Sequence, residues 1–197
     1  MKVKYFGNSC FLFSTKDTKL ATNPKDKGAR FNLEKINPDI IVKSHKEDLK
    51  DAKAYYVIES PGEYEIKDIF VYGFLSSERT KENTADIYMF DINSMHIGYI
   101  DRKVESIKQS IIKEMGIVNI LFISLADDAG MKMTKLSDLV NKIEPQIVIP
   151  MDYTKENLEK FAKIQGVKGL EEESSLNIKR TDFSEEDMPL RIIVLKK

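Results

Sequence analysis

Over the first hundred residues, apolar and polar positions alternate with a period of two in short runs rich in Val, Ile, Phe and Tyr. This pattern predicts strands at 2–6, 10–14, 19–22, 40–42, 55–58, 64–73, 86–92 and 95–100, with turns at Gly7-Asn8, Lys16-Asp17, Pro61-Gly62 and Asn93-Ser94. After Asp101 the period lengthens. Val104, Ile107, Ile111, Ile112 and Met115 form a helical stripe that Gly116 closes, and 117–125 reads as a buried strand. Thr134 is the expected cap of a helix with Leu136, Leu139, Val140 and Ile143 on its apolar face, stopped by Glu144-Pro145. A strand at 146–150 follows, then a helix from Thr154 carrying Leu158, Phe161, Ala162 and Ile164, and two last strands near 175–180 and 190–195. A β-rich half followed by alternating β and α is best satisfied by two sheets packed face to face with helices outside, a layered α/β sandwich of four layers.

Length and charge narrow the class. One domain is expected over residues 1–197, because two separate cores in 197 residues would each be small. The 31 basic and 32 acidic side chains leave a net charge of -1, so no global field draws nucleic acid or anionic lipid, and neither is expected as a partner. No apolar run nears the ~20 residues that span a bilayer, and the first residues lack a signal-peptide pattern, so no membrane association is expected. The single Cys10 cannot form an internal disulfide, which points to the cytoplasm. It lies in an apolar run and reads as a small core residue rather than a nucleophile.

Sites in sheet proteins of this kind gather on loops that leave the carboxyl ends of strands. Four loops qualify: Lys43 to Lys50, which includes His45 and Glu47; Asp101-Arg102-Lys103; Asp127-Asp128; and Met151-Asp152-Tyr153. Asp101 has an alternative reading as the cap of a helix starting at Arg102, and Asp127-Asp128 lies in an ADDAG turn of ordinary turn formers. Tyr55, Tyr56, Tyr64 and Tyr72 read as packing or cross-strand partners, and the acidic stretches 171–173 and 185–187 read as solvated turns between edge strands. An exposed edge strand also leaves room for a homodimer.

The opening KVKYFGNSCFLF, Asn23-Pro24, DIIVKSHKEDLK, PGEYEI at 61–66, the Asp101 loop and EPQIVIPMDY at 144–153 together resemble the metallo-β-lactamase superfamily, and within it the compact bacterial branch of L-ascorbate-6-phosphate lactonase-like hydrolases. The resemblance covers about residues 1–166, with strands in 167–197 expected to complete the second sheet. It implies a four-layer αββα sandwich with its site at one edge of the two sheets. It also implies metal ligands: an HxHxDH motif after the strand at 40–42, a His after the strand near 69–75, an Asp at Asp101 and a His at the place of Asp152. Laid on this chain, the motif keeps His45 but meets Glu47, Leu49 and Lys50 at its other positions. The loop from Ser76 to Arg79 has no His, Asn8 stands where many members have His, and Asn23 stands where Asp is usual.

A catalytic zinc needs about three protein ligands and an open position for water. This chain has two histidines, and His96 lies inside the hairpin strand at 95–100, where a structural or surface role is expected. The first expectation is therefore a superfamily member without the hydrolytic metal centre. It would bind an unidentified small molecule or protein, with no cofactor and no metal, and the Lys50 ammonium would take the place of metal charge. The alternative is a hydrolase of a lactone or phosphoester holding one divalent cation (manganese, iron, magnesium or zinc) through His45, Glu47, Asp101 and Asp152, with Asp101 and Asp152 as the catalytic candidates. A metal-free acid/base pair built from Asp127, Asp128 and Asp152 is a third, weaker reading.

Overall fold

The computed structural model describes residues 1–24, 32–44, 56–76, 84–183 and 189–196. Strands β1 (Lys2–Gly7), β2 (Cys10–Ser14), β3 (Lys19–Thr22), β4 (Ile40–Val42) and β5 (Tyr56–Ile58) lie in a first sheet, which β13 (Leu176–Asn177) extends beside β1. The second sheet runs in the order β12 (Glu171–Glu173), β14 (Arg191–Leu195), β11 (Ile147–Met151), β10 (Ile120–Ser124), β9 (Met95–Ile100), β8 (Ile87–Ile92), β7 (Ile69–Phe74) and β6 (Gly62–Ile66). Helix α1 (Leu33–Ile36) packs on the outer face of the first sheet against Cys10, Leu12 and Ala21. Helices α2 (Gln109–Met115), α3 (Met133–Ile143) and α4 (Lys155–Ile164) pack on the outer face of the second. The result is the αββα sandwich that the periodicity predicts.

The core lies between the sheets, as period-two burial requires. Val3, Phe11, Phe13, Leu20, Ile40 and Val42 from the first sheet meet Val71, Phe90, Ile97, Tyr99, Phe122 and Ile149 from the second. Phe122 takes Phe11 edge-on at 4.7 Å and Phe13 edge-on at 5.3 Å, a preferred aromatic geometry that locks the two layers. The alternate residues of the same strands, Ile87, Leu121, Ile123 and Val148 among them, face outward under α2, α3 and α4. Central strands with both faces covered therefore read as unbroken apolar runs.

The structure corrects several local expectations. The predicted strand at 64–73 is a hairpin, because Lys67 (φ 48°) and Asp68 (φ 60°) both turn left-handed and send the chain back, giving β6 and β7. The helix begun at Val104 starts only at Gln109. Val104 and the backbone before it are used in a turn closed by the Val104 N–H on the Asp101 carbonyl at 3.2 Å. Thr134 does not cap α3: the cap is Lys132, two residues earlier, whose carbonyl accepts the Leu136 N–H at 2.9 Å. Glu171–Glu173 is not a solvated turn but the edge strand β12, parallel to β14, because Glu171 holds Arg191 through two hydrogen bonds of 2.8 and 2.6 Å. The C-terminal strands are divided, with β12 and β14 joining the second sheet and β13 the first.

Asp86 precedes β8 and is buried at 7% exposure. Its carboxylate accepts the Ser76 backbone N–H at 2.7 Å and the Ser76 hydroxyl at 2.5 Å, so it ties together the two ends of the chain flanking residues 77–83. Burial, reinforced by the nearby Asp101 charge, outweighs those bonds and raises its carboxyl above the usual range. The folded chain therefore holds the Asp86 proton more tightly than the unfolded chain. The stabilising effect is complete below the unfolded carboxyl range near pH ~3.9 and is lost as pH rises through the folded value. Replacing Asp86 by Asn, which still accepts the Ser76 N–H, is expected to remove this loss. Urea unfolding from about pH 3 to pH 7 should show Asp86→Asn gaining stability relative to wild type as pH rises; a difference independent of pH would contradict the assignment.

Candidate functional site

Five chain turns at the carboxyl ends of strands bring the site together: Asn8-Ser9 after β1, Asn23 after β3, Ser44 after β4, Asp101 after β9 and Asp152 after β11. Four of the residues bend the chain sharply by adopting the left-handed region, at φ 48° for Asn8, 64° for Ser9, 41° for Asn23 and 53° for Asp152. Asn and Asp tolerate this conformation better than other side chains, and each such non-glycine residue still costs roughly 1 kcal/mol. The cost is met at Ser9, Asn23 and Asp152, where the bend delivers a polar group to the site's hydrogen bonds.

Asn23 is the hub of that network. Its Oδ1 accepts the Ser44 backbone N–H at 2.9 Å, which fixes the amide so that Nδ2 faces the opposite way. Nδ2 donates to the Ser44 hydroxyl at 2.9 Å and to the Tyr99 hydroxyl at 2.7 Å. Each hydroxyl that accepts from Asn23 must send its own proton onward. Ser44 donates to Asp101 Oδ2 at 2.5 Å, and Tyr99 donates to the Ser9 carbonyl at 3.0 Å. The Thr22 hydroxyl also donates to that carbonyl at 3.0 Å, and the Ser9 hydroxyl donates to Asp152 Oδ2 at 2.6 Å. Asp101 is thus joined to Asn23 by hydrogen bonds through Ser44, while Asp152 is held separately by the Ser9 hydroxyl, the Ser9 residue linking the two parts covalently.

The surroundings explain the electrostatics. Tyr99 is fully enclosed, and burial first, then the Asp101 and Asp152 charges, drive its phenol well above the usual range, so it stays a proton donor. Asp101 is 3% exposed, and its Oδ1 accepts the Lys103 N–H at 2.9 Å. Tyr5, stacked on Phe11 at 4.7 Å, offers its hydroxyl oxygen to the Asp152 N–H at 3.4 Å. The Tyr5 phenol is likewise raised, by burial first and the Asp152 charge second.

Of the residues singled out in the sequence, Asp101 and Asp152 both act on Tyr99, Asp101 being held by Ser44 and Asp152 by Ser9, whereas His45, Glu47, Leu49 and Lys50 lie outside the described residues. Asp101 is not a helix cap, since α2 starts eight residues later and its carboxylate closes a local turn. His96 is on the outer face of β9, 3.6 Å from Asp91. Asp127 and Asp128 stand apart from the network: Asp127 accepts the Asn157 amide at 2.8 Å and Asp128 pairs with Arg102 at 2.6 Å. Lys43 is tied to Glu59 at 2.9 Å, so neither it nor Arg102 is directed at the acids. Cys10 is buried and its thiol is pushed up by desolvation, which keeps it protonated and inert. Sequence reasoning missed the hydroxyl donors Ser9, Ser44 and Tyr99, because Ser and Tyr after or within strands carry no signal until the sheets bring them to the acids.

Against the metal centre that the resemblance implies, the described donors are two carboxylates whose Oδ2 atoms already accept hydroxyl protons. Among the described residues no three of His, Cys, Asp and Glu are grouped to hold an ion. These donors do not by themselves fit a catalytic transition-metal shell, which needs about three protein ligands.

No curated protein sequence gives a significant match. Solved structures do. A Thermotoga maritima protein of the metallo-β-lactamase superfamily, named for a presumed zinc-dependent hydrolase activity, is 17% identical with a TM-score of 0.77 over 98% of each chain. The metallo-β-lactamase fold protein YhfI of Bacillus subtilis is 13% identical with a TM-score of 0.64, covering 99% of this chain and 96% of its own. Igni18, a metallo hydrolase from Ignicoccus hospitalis, is 13% identical with a TM-score of 0.64, covering 85% and 92%. At these identities the likeness speaks for the fold alone. The sequence profile of the β-lactamase superfamily domain matches residues 2–152, from the start of β1 to Asp152, and on that match the chain belongs to this superfamily.

Proposed function

We propose that this superfamily member is a non-hydrolytic scaffold whose strand-end site binds a small molecule or a partner without a catalytic metal. The carrying observation is the direction of the Asn23 network. The Ser44 and Ser9 hydroxyls donate to one carboxylate oxygen of Asp101 and of Asp152, the acids that the resemblance would use for an ion. A charge-assisted O–H···O⁻ bond of 2.5 to 2.6 Å satisfies a carboxylate strongly, so these acids are stable in place without a cation. The replacement of the motif's second His, Asp and last His by Glu47, Leu49 and Lys50 supports the same reading, since it removes ligands and a lysine carries positive charge without Lewis acidity. The residues in play are then Asp101 and Asp152 as polar anchors, with Asn23, Ser44 and Tyr99 as positioning groups.

A second reading is favoured by the hydrolase names of two of the structural neighbours. In it His45, Glu47, Asp101 and Asp152 hold one divalent cation, which would activate a water toward a lactone or phosphoester. Metal analysis separates the two. Protein purified without chelator or added metal is expected to carry far less than one equivalent of zinc, manganese or iron. With added manganese, its turnover of lactone and phosphodiester substrates should equal that of Asp101→Ala. A stoichiometric ion that His45→Ala or Asp152→Ala removes would establish the hydrolase instead.

Asn23→Asp gives an independent check. An aspartate is acceptor-only when ionised, so it would draw the Ser44 and Tyr99 protons away from their present partners and add a buried negative charge beside Asp101. The expected cost is about 1–3 kcal/mol in urea unfolding at neutral pH, with no recovery on adding manganese. Restored stability with manganese would mean that position 23 serves a cation site.

A further inference from the structure

Beyond the strand-end site, the outer face of the second sheet carries a cleft of about 250 Å³ that the helices leave open. It is built by strand register. Glu63 on β6 stands opposite Tyr72 on β7, Tyr72 opposite Met89 on β8, and Met89 opposite Gly98 on β9. The next row places Phe70 opposite Asp91 and Asp91 opposite His96. Gly98 ends the first row because a Cβ there would lie 2.9 Å from Leu121 Cδ1 and 3.2 Å from Met115 Cε. The missing side chain lets Met115 of α2 settle onto β9, and α2 thereby forms one wall and brings Glu114 to the rim. Tyr72, Phe74, Met89 and Met115 make the apolar lining, while Glu63, Asp91 and Glu114 reach the cleft from three different elements.

Three features select the ligand. Among the described residues, neither Glu63 nor Glu114 pairs with a cation, and Asp91 has only His96 at 3.6 Å. Among the described residues no Lys or Arg lines the cleft, so the charge they give it is negative. These acids do not form a group that could hold a metal ion, since they are spread around an aromatic and thioether floor rather than gathered at a point. Such a surface complements a delocalised or alkyl-bearing cation: ring faces attract it, Met sulfur accommodates its stem, and carboxylates at the rim answer its charge. The volume lies below the ~300–1,000 Å³ of drug-sized ligands, which limits the occupant to a small one. A twofold contact with a second copy is disfavoured, because it would set identical acidic rims against each other.

We infer that this cleft binds a small organic cation, a guanidinium or ammonium on a short apolar stem, independently of the strand-end site. The test is a titration of full-length protein followed by amide ¹H–¹⁵N spectra, with n-butylguanidinium as the probe, neutral n-butylurea as its isostere and n-butanoate as the anionic control. Saturable shifts at Tyr72, Asp91, His96 and Glu114, with a dissociation constant in the range of about 1 mM or below, are expected for the cation. n-Butylurea should bind at least about tenfold more weakly, and the double variant Glu63→Gln/Glu114→Gln, altering two exposed side chains, should weaken the cation by a similar factor. Equal binding of cation and urea, insensitivity to the double variant, or shifts at Ser9, Ser44 and Asp101 in place of the cleft would overturn the inference. So would changes at the same amides that depend on protein concentration without any probe, since they would assign the face to a second copy of the chain. Because no metal enters this test, its outcome is separate from that of the metal analysis.

Discussion

The constraint on which the site depends is the orientation of one buried amide. Asn23 must accept from the Ser44 backbone and can therefore donate only toward Ser44 and Tyr99. In a desolvated interior a polar group without its partner is costly, so Ser44 and Tyr99, which accept from Asn23, send their own protons on to Asp101 and to the Ser9 carbonyl. The two hydroxyls become donors, the acids become acceptors, and the ends of β1, β3, β4 and β9 are joined across both sheets, with β11 reached through Ser9. The polar site and the sandwich are in this sense one structure, because the network closes the open end of a core that Phe11, Phe13 and Phe122 close in the middle.

This arrangement also accounts for the strained turns. Left-handed φ at Asn8, Ser9, Asn23 and Asp152 would be a liability in a loop with nothing to gain. Here the bends end strands abruptly, and those at Ser9, Asn23 and Asp152 bring their polar groups to the site. Bends of this kind gather polar side chains at one edge of the sheets, an arrangement open to hydrogen bonding, as between Ser44 and Asp101, and to ligation. The fold is indifferent to the choice; the side chains at a few strand ends make it.

How much could be read in advance varied with the physical origin of each feature. The core strands were legible because burial on two faces leaves an unbroken apolar run, as in Ile120–Ser124 and Ile147–Met151. Helix α4 was legible from its cap: Thr154 accepts the Asn157 N–H at 3.2 Å. The β6–β7 turn was not, since Lys67-Asp68 lacks the Asn-Gly signature and is forced left-handed by the pairing of the strands it joins. Nor was β12, three exposed glutamates whose strand conformation rests on Arg191 and Lys196 of a neighbour twenty or more residues away. Of the site, the acids Asp101 and Asp152 were visible as charges following apolar strands, while their hydroxyl partners were not.

The amino-acid order alone thus determined the layered class, the superfamily and the two carboxylates at strand ends, because periodic burial and abrupt changes from apolar to acidic are local properties. What tertiary structure decided was partnership. That Ser44, 57 residues from Asp101, donates a hydrogen bond to it, that Ser9, 143 residues from Asp152, does the same, and that Glu63 and Glu114 share one cleft are consequences of sheet register and helix docking. Contacts between residues so far apart in the chain leave no periodic trace in it; they exist only once burial of the apolar faces has set the strands in order.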